Sequence, residues 1–197
     1  MNHLAHLLLS GPDPALRAGG FLGDFVRGRL GGRFPERVEA GIRLHRFVDV
    51  YTDAHPVVRE MVDLFPPQQR RWAPVALDVW FDHLLARDFE VHAGEALAPF
   101  ARRACADLER HAPLMDDAAR GFLARLVEAA LLERYAARET VTGVLRRLAR
   151  RSHRTGSLQA LDASLDTLAE PIAARFPALL EDLLETGAAW RAEHGLP

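Results

Sequence analysis

Apolar residues in this chain recur at spacings of three and four and nowhere alternate at period two, so the backbone is suited to helix rather than sheet. The abundance of leucine, alanine and arginine points the same way. A chain of 197 residues is most simply one domain with a substantial core. All 25 basic residues are arginine, which excludes Schiff-base chemistry and a P-loop lysine. No G-x-S-x-G, G-x-G-x-x-G or C-x-x-C motif occurs. No apolar run approaches the roughly 18 residues needed to span a membrane, and the N-terminal stretch is a poor signal peptide. Cys105 has no disulfide partner, which fits a reducing cytoplasm, and its helical surroundings make it a small buried hydrophobe. A net charge of −2 argues against bulk nucleic-acid binding.

Turn residues divide the chain into expected helices over 1–9, 15–26, from about Pro35 to Asp53, 57–64, 68–89, 95–110, 116–136, 141–152 and 158–189. Pro74 must kink the 68–89 helix or mark its true start, and Pro171 and Pro177 divide the last segment. No linker, repeat or low-complexity tract separates a second domain. The expectation is a compact, single-domain, all-α bundle spanning residues 1–197.

Three stretches, MNHLAHLLLS, GIRLHRFVDVYT and DVWFDHL, set Asn, His or Asp among apolar residues. Asn2 and His3 each pair with His6 at helical spacing, as do His45, Asp49 and Asp53, and then Asp78 and Asp82, with His83 adjacent. Apolar neighbours turn these groups inward, where unpaired carboxylates are very costly. Clustered carboxylates beside imidazole suit one or two Mn²⁺, Mg²⁺ or Fe²⁺ ions. The competing reading pairs Asp49 and Asp53 with Arg43, Arg46 or Arg59 on a solvated face. For Asp24, in FLGDFVRG, it is a C-terminal turn acid paired with Arg27; for His6, a satisfied core histidine; for Asn2, a helix N-cap. His55, before Pro56, is a turn residue and a candidate for proton transfer, whereas His92, His111, His153 and His194 read as surface.

Arg27, Arg29, Arg33 and Arg37 surround a glycine-rich turn, and Arg43 and Arg46 flank His45. Arginine recognises phosphate through its bidentate fork, so Arg27, Arg43 and Arg46 are candidate substrate contacts. A second cluster, Arg146, Arg147, Arg150, Arg151 and Arg154, either meets an acidic partner or caps a helix.

MNHLAHLLLS, FLGDFVRG, GIRLHRFVDVYTDAHPVVRE and LDVWFDHLLARDF resemble, in order and spacing, the acyl carrier protein phosphodiesterase family; the resemblance is strongest over residues 1–89. It implies a helical enzyme distantly similar to HD-type phosphohydrolases. Such an enzyme removes 4′-phosphopantetheine from holo-acyl carrier protein with a divalent cation, preferably Mn²⁺. The matching family positions are Asn2, His6, Asp24, His45, Asp78, Asp82 and His83. Two departures are His3, where an aromatic is more usual, and Gly20, where asparagine is expected. The expected mechanism is phosphodiester hydrolysis by a metal-activated water, with the metal on Asp24, His45, Asp49 and Asp82 or His83. Asp24, His6, His55 and His83 are the candidate catalytic groups, with His6, His55 or His83 supplying the leaving-group proton. Asn2, Asp53 and Asp78 join the arginines as candidate substrate contacts. The alternatives are a phosphohydrolase of a nucleotide or small phosphate ester, and a non-catalytic helical module gripping an acidic protein.

Overall fold

The computed structural model describes residues 2–152 and 155–197, with side chains described outside 151–159. Met1, His153, Arg154 and the Arg151 side chain therefore lie outside the described residues. Among those described there is no strand, and twelve α-helices run in order: α1 (His3–Leu9), α2 (Pro14–Leu22), α3 (Glu36–Ala54), α4 (Pro56–Asp63), α5 (Ala73–Arg87), α6 (Phe89–Ala93), α7 (Leu97–Arg110), α8 (Asp117–Glu128), α9 (Leu131–Arg134), α10 (Arg138–Ser152), α11 (Thr155–Ala173) and α12 (Phe176–Glu193). The fold is all-α, as the spacing of apolar residues requires.

Two glycines set the closest contact in the bundle. A Cβ on Gly19 of α2 would stand 2.2 Å from the Val38 carbonyl oxygen, and one on Gly41 of α3 would stand 2.3 Å from the Leu16 carbonyl oxygen. Only hydrogens at both positions let the two backbones cross this closely. The crossing places the end of α2 against the middle of α3, which brings residues 20–24 to His45.

The remaining helices wrap one continuous core that includes Leu4, Phe21, Ile42, Phe81, Phe100, Leu126 and Phe176. α1 and α5 are largely buried in it, and every buried residue of α5 outside Asp82 and His83 is apolar. Where the helix bounds differ from expectation, local chemistry explains the change. α2 stops at Leu22 rather than 26, leaving Asp24 in the turn beyond its end. α5 begins at Ala73 because Pro74 fits the first turn, where its missing N–H has no helical partner. The expected helix over 116–136 is two helices, broken where Ala130 adopts a left-handed φ of 46°. Pro171 lies within the last turn of α11, so the break follows it, and Pro177 sits in the first turn of α12.

Candidate metal centre and adjoining cavity

Helix α1 delivers His6 and α3 delivers His45, and their rings stack with centroids 3.8 Å apart. Both side chains are buried. Asp49, one turn beyond His45, spans the pair: Oδ1 lies 3.1 Å from His6 Nε2 and Oδ2 lies 3.2 Å from His45 Nε2. Ligand atoms of these three residues all lie within 4.8 Å of one another. His45 Nδ1–H donates to the Gly20 carbonyl at 2.8 Å, which turns Nε2 toward Asp49 as the nitrogen placed to ligate a metal. Gly23 makes room for that ring, since a Cβ there would stand 2.1 Å from His45 Cγ. At Gly20 the Ser10 hydroxyl stands 2.4 Å from where a Cβ would be, so a larger residue would collide with it.

Asp24 joins from the turn after α2. Its Oδ1 is 3.8 Å from His45 Nε2 and its Oδ2 is 3.2 Å from His3 Nδ1. The Asp24 and Asp49 side chains are 44% and 42% exposed, so the cluster is open to solvent on its carboxylate side. Burial and the adjacent His45 lower the His6 pKa to about 4, keeping its imidazole neutral. Burial alone would raise the Asp49 carboxyl, but hydrogen bonds from His45 and His6 outweigh it and hold the group well below the usual carboxylate range. Asp24 is likewise lowered against its burial by His3, His45 and His6. Two imidazoles and a carboxylate are a donor set that fits a divalent first-row ion.

Asp82 has a different environment. It is fully buried, and its two oxygens accept from the backbone N–H groups of Leu4 at 2.8 Å and Ala5 at 3.0 Å. The carboxylate thus caps α1, whose own N-cap residue, Asn2, makes no side-chain cap. Burial raises its pKa to about 6. His83 is tied by Nδ1–H to the Tyr135 carbonyl at 2.8 Å, and burial lowers its pKa. His55 caps α4 by accepting from Val57 N–H at 3.2 Å, and its Nε2–H donates to Asp182 at 2.8 Å. Tyr51 donates to the same carboxylate at 2.8 Å. Burial and Asp78 raise the Asp53 carboxyl. Arg43 pairs with Glu39 at 3.6 Å, and Arg46 donates to the Gly28 and Val26 carbonyls at 3.0 and 2.8 Å, which ties down the glycine-rich turn. Burial pushes the Cys105 thiol up to about 11.

A cavity of about 510 Å³ adjoins the cluster at Asp24 and His3. Asn2, Asp78 and Arg27 line it, together with apolar residues that include Phe25, Val79 and Phe122. Tyr135 and Arg147 also line it, and neither was assigned to the site from sequence. His3 packs on Phe122 with ring centroids 4.6 Å apart. Its one readable signal was an imidazole in the first turn of a helix that also carries His6. Among the described residues lining this cavity, His3 is the only histidine.

The family model for acyl carrier protein phosphodiesterase matches residues 1–183. A protein of that name from Yersinia pestis is 34% identical over 185 residues, covering 91% of this chain and 96% of its own length. One from Serratia proteamaculans (strain 568) is 37% identical over 159 residues, covering 80% and 82% respectively. One from Escherichia coli O6:H1 is 34% identical over 188 residues, covering 92% and 96%. No solved structure matches. With a family match over nearly its whole length and relatives above 30% identity, the chain belongs to the acyl carrier protein phosphodiesterase family.

Proposed function

We propose that this protein hydrolyses the phosphodiester joining 4′-phosphopantetheine to the serine of holo-acyl carrier protein, with a divalent metal held by His6, His45 and Asp49 beside Asp24. The observation that carries this reading is the convergence of two buried imidazoles on one carboxylate at the edge of a cavity, in a chain of this family. When bound there, the ion supplies Lewis acidity and a water acidified toward neutral pH. Imidazole donors favour Mn²⁺ or Fe²⁺ over Mg²⁺, and Mn²⁺ is the ion assigned.

The chain's own residues do the rest. His6 stays neutral and so keeps a lone pair available. Gly20 orients His45 through Nδ1–H. Asp24, held by His3, adds negative charge between the cluster and the cavity. The apolar wall formed by Phe25, Val79 and Phe122 limits water around the reacting phosphate. Overall, water adds across the phosphorus–oxygen bond to serine: phosphorus gains the hydroxyl oxygen and the serine oxygen leaves with a proton. Arg27 at the cavity draws in the acidic carrier protein. Among the described residues no helix is long and apolar enough to cross a membrane. We place the protein in the cytoplasm on the strength of its one unpaired cysteine.

The test is mass spectrometry of holo-acyl carrier protein incubated with the protein in Mn²⁺ or in EDTA. Loss of the phosphopantetheine mass in Mn²⁺ alone is expected. An unchanged carrier protein, with metal bound to the enzyme, rejects this substrate in favour of small phosphate esters.

A further inference from the structure

The cavity beside the metal centre carries two polar groups from the second half of the chain that hydrolysis as described above leaves unused. Tyr135, at the end of α9, is 1% exposed yet lines this cavity. The Asn2 amide donates to its hydroxyl oxygen at 2.9 Å. Among the described residues no acceptor takes the hydrogen of that hydroxyl. A buried O–H without an acceptor is unfavourable, and a ligand oxygen in the cavity would relieve it. Arg147 of α10 lines the same cavity and has no carboxylate partner among the described residues. Its neighbours on α10 differ: Arg138 pairs with Asp162 and Asp166 at 2.9 and 2.8 Å, and Arg146 lines a separate surface pocket.

We propose that Arg147 and Tyr135 form a clamp for a phosphoryl oxygen of the substrate, with Arg27 completing the cationic rim. The proposal rests on the phosphodiesterase reading and names the groups that grip its reacting phosphate. A phosphodiester carries one negative charge on two non-bridging oxygens. A guanidinium fork and a neutral O–H donor match those oxygens in charge and in hydrogen-bond direction. Burial and the nearby Asp82 push the Tyr135 hydroxyl far above its ordinary value, so it remains a donor at any working pH. The clamp would hold the diester at the mouth of the carboxylate cluster, where Asp24 and Asp78 would otherwise repel it.

The experiment compares wild type, Arg147→Gln, Arg147→Lys, Tyr135→Phe and Arg146→Gln, all at saturating Mn²⁺. Each is titrated with inorganic phosphate by calorimetry and assayed for kcat and KM on holo-acyl carrier protein. Arg147→Gln is expected to weaken phosphate binding and raise KM by about 10-fold or more while kcat changes little, with partial recovery in Arg147→Lys. Tyr135→Phe, which keeps the buried ring, is expected to lower kcat/KM about 10-fold. Arg146→Gln is expected to match wild type. Unchanged phosphate affinity in Arg147→Gln overturns the clamp. So does an equal KM effect in Arg146→Gln, which would mark diffuse attraction for an acidic protein. If wild type releases no phosphopantetheine, the substrate assignment fails, and the phosphate titrations alone then decide the clamp.

Discussion

His6 and His45 lie ring on ring, 3.8 Å between centroids, and the Asp49 carboxylate spans their outer nitrogens. Two imidazolium ions cannot share that space without strong repulsion, so at least one ring must be neutral. Burial, which lowers His6 to about 4, makes His6 the neutral one. Imidazole nitrogens that converge on a carboxylate can give up the protons they share with it to a divalent cation, which balances the same negative charge.

Gly23 and Gly19 should fail differently when enlarged. In Gly23→Ala the new methyl meets the His45 imidazole at 2.1 Å, so the ring must turn away from Asp49. A displacement of this size should lower kcat/KM by about 100-fold, with a stability loss of about 1–3 kcal/mol. In Gly19→Ala the methyl meets the Val38 carbonyl oxygen at 2.2 Å, where no flexible side chain can yield. That variant should lose about 3 kcal/mol or more. Urea melts and steady-state kinetics separate the two, and full activity in Gly23→Ala would contradict the fitted imidazole.

Asp82→Asn tests whether this acid acts as a cap. The amide retains one acceptor for the Leu4 and Ala5 N–H groups and turns a donor toward the other. Stability should fall by about 1–3 kcal/mol. Mn²⁺ affinity of the folded variant should stay within about 3-fold of wild type. A collapse of Mn²⁺ binding would place Asp82 among the ligands instead.

The metal-free protein should show opposing pH contributions from two buried groups. His6 falls from 6.5 to about 4, so the folded state binds fewer protons than the unfolded in that window and stability rises with pH. Asp82 rises from 3.8 to about 6, so the folded state binds more protons there and stability falls as pH rises. Between about pH 4.5 and 6, His6→Gln should flatten the rise in stability and Asp82→Asn should steepen it, each by at most about 1.4 kcal/mol per pH unit. Chemical denaturation in EDTA across this range reads both slopes, and identical slopes in all three proteins would refute the assignments.

His55→Ala should cost about 1 kcal/mol and leave kcat within about 2-fold, because the ring is bound to Asp182 and Val57 and does not line the cavity. A drop in kcat of about 100-fold with unchanged melting would restore it as a proton donor.

Periodicity made part of this arrangement readable in advance. His45 and Asp49 share one helical face by their spacing alone, and the all-α fold follows from the same spacing. What periodicity cannot reach is contact between helices. His6 meets Asp49 across 43 positions of sequence, and Asp82 caps α1 from 78 positions away. A carboxylate among apolar neighbours has the same appearance in sequence whether its partner is a cation or the N-terminus of another helix. The expected break at Pro171 came late for a similar reason, since a proline marks a helix end only to within a turn. Tyr135 carries no local signal and Arg147 reads only as one of a cluster of arginines, and only the packing of α9 and α10 brings them to Asn2 and Asp24.

The most direct test of the proposed centre is pulsed EPR on Mn²⁺ bound at one equivalent to wild type, His6→Asn, His45→Asn and Asp49→Asn. Two imidazole nitrogen couplings are expected in wild type and one in each histidine variant. Asp49→Asn should bind Mn²⁺ at least about 100-fold more weakly, and phosphopantetheine release should fall in parallel in all three variants. Mn²⁺ without nitrogen coupling in wild type, or couplings unchanged when His6 and His45 are replaced in turn, would show that the ion binds elsewhere.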